Sequence, residues 1–341
     1  MLRGLYLLLG LGLLAFVVWD VDLAQVGDWM VALGWLGALA VIAVYFIAFL
    51  VDTAAWHLML PSARLTAAWL YVLWKIRMVG EAFNVVIAMG GEPVKAVLLK
   101  RHEGISYQES AASLVIAKTV FLLALLVFAA VGLIILAVTQ ALPDEHRRVA
   151  EAGLAALTLG VAGFFAVQRW QAASYLAERL PEHPWSRPLI RLLAQMQKAD
   201  GYFVAFYAKR RGRFAWAFAL AFLNWMLSAA ELYLIMALLG QPVTWAEAWM
   251  METMFQLIRA GTFFIPANIG ASEAGLMLIV EAVTGQAPLG LAVALIRRAK
   301  DLLWIAWGFL IGWRYSFKPV RQELEAAQEA SKSIEEQRSR E

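Results

Sequence analysis

Long apolar runs separated by polar segments dominate the chain. Six runs are close to the length that crosses a bilayer, about 20 residues. They cover residues 4–19, 35–60, 119–138, 152–168, 214–239 and 289–313. The pattern predicts an all-α integral membrane protein with about six full transmembrane helices. The first run is interpreted as an uncleaved helix, because Asp20 follows it directly and no small-residue cleavage site is present.

Two further apolar stretches, 69–101 and 246–283, are interrupted by charges, glycine and proline. The first contains Gly-Gly-Glu-Pro at 90–93, and the second contains Pro266 and Gly270. Irregular backbone is tolerated at membrane depth only where protein or a water-filled cavity surrounds it. We therefore predict two re-entrant hairpins of broken helices, each of which enters and leaves the membrane on one side.

Intramembrane charges recur in the same order in the two halves of the chain. With Trp35 set against Arg213, the paired positions are Asp52 and Glu231, Arg77 and Arg259, Glu92 and Glu273, and Lys118 and Arg297. The two copies start on opposite sides of the membrane, so the pattern predicts an inverted repeat, an architecture typical of secondary transporters. An ancient duplication without a transport role is the alternative interpretation.

The repeat divides one polytopic membrane domain, residues 1–341, into segments. These are a first helix with an outer loop (1–34), repeat 1 (35–138), a linking helix with a cytoplasmic amphipathic stretch (139–212), repeat 2 (213–314) and a cytoplasmic tail (315–341). The acidic segment 20–34 is expected outside, and the stretch 169–213, with nine Lys or Arg against three acids, is expected inside. Both termini are therefore predicted to be cytoplasmic in a plasma (inner) membrane, although Arg147 and Arg148 fall on the outer side.

Composition excludes a water-soluble enzyme, since 62% of the residues are hydrophobic and 16% are charged. The chain has no cysteine, and its four histidines are scattered without metal-ligand spacing. No metal or other cofactor is expected. No basic stripe carries interleaved aromatic residues outside the apolar runs, so nucleic-acid binding is not expected either.

The polar residues of the interrupted stretches are the first candidates for substrate binding. Arg77, Glu81 and Asn84 share one helix face, and Glu252, Gln256 and Arg259 repeat that spacing. Each set either forms a structural ion pair or faces a substrate, and both interpretations stay open. The segment at 90–95 reads as a helix start whose amides attract an anion, unless Glu92 caps the helix itself. Ser272 is expected to cap the helix that follows Pro266.

The last apolar run carries Arg297, Arg298, Lys300 and Asp301 near its middle. Arg297 and Asp301 are four residues apart and are expected to pair, which leaves a cation for the phosphate of a lipid head group. The alternative is that these charges neutralise acids elsewhere in the bundle. The candidate proton- or ion-coupling residues are Asp52, Glu231, Glu273 and Asp301.

Three segments together resemble the flippase-like membrane domain of lysylphosphatidylglycerol synthases. They are residues 84–98 with a Gly-Gly-Glu-x-x-Lys core, the helix 106–118, and Pro-x-x-x-Gly-x-x-Glu at 266–273. The resemblance covers roughly residues 5–315 and implies lipid translocation between leaflets. The functional residues that it implies are Asn84, Gly91, Glu92, Lys95, Pro266, Gly270 and Glu273.

These observations predict a flippase-type lipid transporter that moves a polar or anionic head group through a central cavity lined by the broken helices, and not an enzyme. No nucleotide-binding motif is present, so movement is expected to need no ATP hydrolysis by this chain. The partners would be membrane lipids, either an anionic phospholipid or a polyprenyl-linked or hopanoid-type lipid. The predicted substrate-binding residues are Arg77, Glu81, Asn84, Gly91, Glu92, Lys95, Lys118, Arg259, Pro266, Asn268, Gly270, Glu273, Arg297 and Arg298.

Two alternatives remain. One is a membrane-embedded transferase on lipid-linked substrates, for which Glu92 with His102 is the nearest catalytic candidate. The other is a non-catalytic membrane subunit of a lipid-modifying enzyme. No aminoacyl-transfer domain is expected after residue 341, so synthesis of a lysyl lipid is not expected either.

Overall fold

The computed structural model describes residues 23–60, 62–86, 91–139, 152, 155, 158–159, 211–262, 265 and 268–338. Within these residues the protein is all-helical. The predicted spans at 4–19 and, for the most part, 152–168 lie outside the described residues, as do most of the basic stretch 169–213 and Pro266. The eight helices are α1 (Leu23–Met59), α2 (Ala67–Val86), α3 (Gly91–Glu103), α4 (Tyr107–Thr139), α5 (Arg211–Leu238), α6 (Trp245–Gly261), α7 (Ala271–Thr284) and α8 (Ala287–Arg338).

Three of the described helices are long and apolar enough to cross a membrane: Ala24–Met59, Tyr107–Leu136 and Arg211–Leu238. They contain the predicted spans 35–60, 119–138 and 214–239. The predicted span 289–313 is also helical, within α8, but it carries the four central charges noted above. The structure thus supports a helical membrane protein.

The predicted outer loop 20–34 differs from the structure, which has a helical segment from Leu23 onward. This segment joins the rest of α1 at Gly34, whose φ of 61° is accessible to glycine without steric cost. Val26 is buried and packs against Leu291 and Ala292 of α8. The acidic residues indicated only a side of the membrane, whereas packing against α8 decides the local conformation.

Both predicted interruptions are present as breaks between helices. Helix α2 ends at Val86 before α3 begins at Gly91, and α6 ends at Gly261 before α7 begins at Ala271. Helix α3 packs against α2, and α7 packs against α6. Helices α3 and α7 have 13 and 14 residues, about 20 Å each, which is shorter than the roughly 30 Å hydrocarbon core.

The eight helices form two four-helix units, α1–α4 and α5–α8, with matching contacts. The contact of α3 with α4 corresponds to that of α7 with α8, and the contact of α4 with α6 corresponds to that of α8 with α2. Helices α1 and α5 are counterparts and also form the most extensive interface. They run antiparallel, since Arg213 at the start of α5 approaches the Leu60 carbonyl oxygen just after α1, and Leu238 lies beside Gly37.

Counting from helix ends corrects part of the sequence alignment of the two units. Asp52 and Glu231 each lie seven residues before the end of their helices, as aligned. Arg77, however, lies nine residues before the end of α2, and the equivalent residue of α6 is Glu252 rather than Arg259. Arg259 corresponds to Asn84, and Lys118 corresponds to Arg298 rather than Arg297, because each is eleven residues after its helix start. Equal spacing along the sequence misled here, because the helices that carry Arg77 and Arg259 differ in length, 20 residues in α2 and 17 in α6.

Candidate functional site

A central cavity of about 460 Å³ lies between the two units and is lined by six helices, α1, α2 and α5–α8. Most of the predicted site residues line it. They are Asp52, Arg77, Glu81, Asn84, Glu231, Arg259, Asn268, Glu273, Arg297, Arg298 and Asp301. The predicted residues Gly91, Glu92, Lys95, Lys118 and Gly270 are not among the lining residues.

Two equivalent rows of side chains extend into this cavity from α1 and α5. The α1 row is Tyr45, Phe49 and Asp52, and the α5 row is Asn224, Ser228 and Glu231. In both rows the spacing is i, i+4, i+7, which places the residues on one helix face. Sequence reasoning identified the acids but missed the other members, although polar residues at helical spacing within an apolar run are a signal that could have found Asn224 and Ser228.

The first unit neutralises its central charges by direct pairing between α1 and α2. Arg77 forms an ion pair with Asp52, and its guanidinium carbon lies 4.5 Å from the centre of the Phe49 ring. Arg77 Nε is also 3.9 Å from Glu81 Oε1. Arg77 is therefore held by protein groups on two sides.

Lys95 of α3 crosses the first break and joins two acids. Its Nζ lies 2.7 Å from Glu81 Oε1 and 3.2 Å from Glu92 Oε1, and only 3% of the residue is exposed. Lys118 of α4 lies 3.2 Å from the same Glu92 oxygen. Glu92 is thus an ion-pair partner of two lysines that stabilises the junction of α3 with α4.

The start of α3 is capped from α2. The Asn84 side-chain oxygen accepts a hydrogen bond of 2.8 Å from the Gly91 N–H, and its Nδ2 donates to Glu81 Oε2 over 3.0 Å. A Cβ added to Gly91 would overlap the Gly80 carbonyl oxygen. Glycine is required here because the two backbones touch.

Substitution of Gly91 by Ala is therefore expected to separate α2 from α3. We expect a loss of about 1–3 kcal/mol in the free energy of unfolding, the range for overpacking a closely packed site. The measurement is the thermal or denaturant unfolding of the detergent-solubilised protein. Gly212→Ala is the matched control, because nothing lies within 4 Å of a Cβ added there; equal stability of the two variants would contradict the close contact.

The second break is organised by Glu273. One carboxylate oxygen accepts a 2.7 Å hydrogen bond from the Gly270 N–H, and the other lies 2.6 Å from Arg298 Nη2. Glu273, not Ser272, therefore caps α7. Thr262 Oγ1 donates to Asn268 Oδ1 over 2.9 Å and so links the two ends of the break.

The second unit buries its charges between α5, α6 and α8. Arg297 Nη2 lies 2.8 Å from Glu252 Oε2 and donates to the Ser228 carbonyl oxygen over 3.0 Å. Lys300 Nζ lies 2.7 Å from Glu231 Oε1. Glu252 is 0% exposed and also accepts hydrogen bonds from the Ser228 hydroxyl and from Gln256, both of 2.6 Å.

The expected ion pair between Arg297 and Asp301 is wrong. Arg297 turns to the two acids of α5 and α6, and Asp301 instead lies 3.6 Å from Lys300 with 45% of its side chain exposed. The alternative given above, neutralisation across the bundle, describes Arg297. A fully buried carboxylate without a partner is far more costly than an exposed one, and this difference decides which acid Arg297 contacts.

Arg259 differs from the other cations of the cavity. Arg77, Arg297, Arg298 and Lys300 each have a carboxylate partner. Arg259 is exposed at the end of α6, with its guanidinium carbon 5.7 Å from the centre of the Phe255 ring, and among the described residues no acid pairs with it. The cavity therefore presents one cation whose charge the described protein groups leave uncompensated.

A family model described as "Lysylphosphatidylglycerol synthase TM region" matches residues 5–308. The match includes every residue that lines the central cavity. No curated protein and no solved structure matches the chain. The family match indicates a membrane-lipid-related function and a location in a membrane.

Proposed function

The chain belongs to the family of the lysylphosphatidylglycerol synthase TM region, and from this membership and the central cavity we propose that it is a flippase-type lipid transporter. It moves a polar or anionic head group between the leaflets of the plasma (inner) membrane, while the hydrocarbon chains stay in the bilayer. The movement uses no ATP hydrolysis by this chain.

The proposed arrangement in the membrane is an inverted repeat. Six helices cross the bilayer completely, the pairs α2–α3 and α6–α7 are re-entrant hairpins, and both termini are cytoplasmic. The matching contacts of the two units and the antiparallel α1 and α5 support this arrangement. So does the length of α3 and α7, which is too short for a full crossing.

The observation that carries the proposal is the charged cavity between the two helix breaks. An ionisable group within hydrocarbon costs several kcal/mol, by values that range from about 3 to more than 10, so it normally has a partner or faces a cavity. Among the described residues, each charged side chain of the lining except Arg259 has an oppositely charged partner, and both units contribute to the lining. A polar interior of paired charges, with one cation that no described acid contacts, suits an anionic head group that must bind and also leave.

We propose transport rather than group transfer, because the cavity acids are committed to cations. Asp52, Glu231 and Glu273 each contact an Arg or Lys, so none is available as a general base in this state. Each would have to break its ion pair to take up a proton. Asp301, the most exposed of the four coupling candidates, is therefore the best candidate for proton coupling.

The test is reconstitution of the purified protein in vesicles with head-group-labelled phosphatidylglycerol, followed by a membrane-impermeant quencher. In protein-free vesicles only the outer-leaflet label is quenched. We expect the protein to expose the inner-leaflet label as well, and the lipid to be recovered chemically unchanged. An inner pool that stays protected would contradict transport, and a modified lipid would favour the transferase alternative.

A further inference from the structure

A second, largely apolar groove of about 520 Å³ lies between α1, α2 and α8. Phe46, Trp74 and Trp307 are among its lining residues. Trp304, which lines the central cavity, contacts Trp307 with ring centres 5.3 Å apart, and Trp307 lies 5.5 Å from Trp74. The indole rings of Trp304 and Trp307 therefore lie between the groove and the central cavity.

The equivalent place in the second unit is occupied by a cluster of aromatic rings. There, between α4, α5 and α6, Phe128 is 0% exposed and stacks on Trp249 with ring centres 5.1 Å apart. Both indole N–H groups of this cluster are satisfied: Trp249 donates to the Phe128 carbonyl oxygen over 3.0 Å, and Trp225 donates to the Phe121 carbonyl oxygen over 3.2 Å. The indole N–H groups of this cluster therefore do not require a ligand as hydrogen-bond acceptor.

The aromatic contacts of the two units differ at this place. Trp74 and Trp249 are equivalent, since each lies twelve residues before the end of its helix. Trp249 stacks on Phe128, 21 positions after the start of α4, whereas the same position of α8 is Gly308 and Trp74 contacts the neighbouring Trp307. Gly308 packs directly against the Met78 carbonyl oxygen, so a side chain there would overlap α2 and no aromatic ring can take the place that Phe128 takes in the other unit.

The groove also leaves hydrogen-bonding capacity unused. Trp74 is 9% exposed, and its N–H has no acceptor among the described residues. A buried donor without an acceptor is costly, and hydrocarbon cannot supply one. Lys75, whose Nζ lies 4.6 Å from the centre of the Tyr71 ring, adds a positive charge to the groove lining.

We propose that this groove binds one anionic glycerophospholipid. Its acyl chain packs against Phe46, Trp74 and Trp307, an ester carbonyl oxygen accepts the hydrogen bond of the Trp74 N–H, and the phosphate lies near Lys75. Each part of the lipid thus meets a group of matching chemistry. In the proposed transporter, this groove would bind the hydrocarbon chain of the lipid. Binding in the groove does not depend on transport.

The test is photo-cross-linking of the full chain in nanodiscs of phosphatidylglycerol with a diazirine on the acyl chain, followed by mass spectrometry of the peptides. We expect cross-links at Trp74 and Trp307 to exceed those at the exposed residues Leu223 and Ile134 by about fivefold, the size of one restored hydrogen bond. Equal yields at all four positions would overturn the proposal.

Three substitutions make this experiment more specific. Ala67→Trp adds a ring in the groove from an exposed position and should remove the excess, whereas Ala219→Trp, also at an exposed position but on α5, should not. Trp74→Phe keeps a ring but removes the N–H donor and should lower the excess. An excess that survives Ala67→Trp would overturn the site. Specific cross-linking without lipid movement in vesicles would reject only the proposed function.

Discussion

Replacing Arg297 with Met lowers the free energy of unfolding by about 3–5 kcal/mol, the usual cost of removing one member of a buried ion pair. The loss arises mainly at Glu252, which is 0% exposed and would keep only its hydrogen bonds to Ser228 and Gln256. The loss of stability at Glu231 is smaller, because Lys300 remains 2.7 Å from it. The measurement is denaturant unfolding of the detergent-solubilised protein.

The double variant Arg297→Met with Glu252→Met distinguishes an internal pair from a substrate contact. Removing both charges leaves neither group stranded, so the double variant should recover most of the lost stability. Arg211→Met, at an exposed position, serves as the control and should leave unfolding unchanged. If Arg297→Met unfolds like the unsubstituted protein but loses lipid movement, Arg297 contacts substrate and the internal role is wrong.

The family and the helix breaks could be predicted because their signals are local. Apolar runs of sufficient length predict spans, and the clusters around Gly91 and Gly270 predict interruptions whatever surrounds them. The resemblance to lysylphosphatidylglycerol synthases is confirmed by the family match over residues 5–308. Local signals do not specify which faces of the helices meet, and the errors lie there.

The pairing of Arg297 illustrates this limit. Spacing along α8 favoured Asp301, which is four residues away and equally close in any isolated helix. In the folded protein, α5 and α6 bring Glu231 and Glu252 to the other side of the guanidinium, where water is excluded. An interaction in a buried environment is much stronger than one with an exposed carboxylate, and sequence spacing carries no information about burial.

The sequence likewise could not predict that Arg259 has no acid partner among the described residues. The intramembrane charges nearly balance, so arithmetic alone cannot say which cation lacks a partner. The alignment of α6 with α2 by their helix ends is needed to show the equivalence. It gives Arg259 the position of Asn84, a capping residue, and not that of the ion-paired Arg77. Among the described residues, the cavity thus combines paired charges that support the fold with one cation, Arg259, that no acid contacts.

Replacing Arg259 with Gln is expected to slow the movement of an anionic lipid by roughly 10- to 100-fold, the range for losing a hydrogen bond to a charged group. Unfolding should not change, because Arg259 is exposed and its described contact is the Phe255 ring. Arg259→Lys keeps the charge but not the planar guanidinium, and should retain part of the rate. The measurement is the quenching assay in vesicles with labelled phosphatidylglycerol.

The comparison with a zwitterionic lipid shows whether charge recognition is involved. Arg259→Gln should reduce the preference for phosphatidylglycerol over phosphatidylcholine, whereas Arg64→Gln, an exposed arginine in the connection between α1 and α2, should affect neither lipid. Unchanged rates and preference in Arg259→Gln would remove Arg259 from substrate recognition. Equal slowing of both lipids would instead place it in the movement of the helices, because a cation that reads the head group must distinguish an anionic lipid from a neutral one.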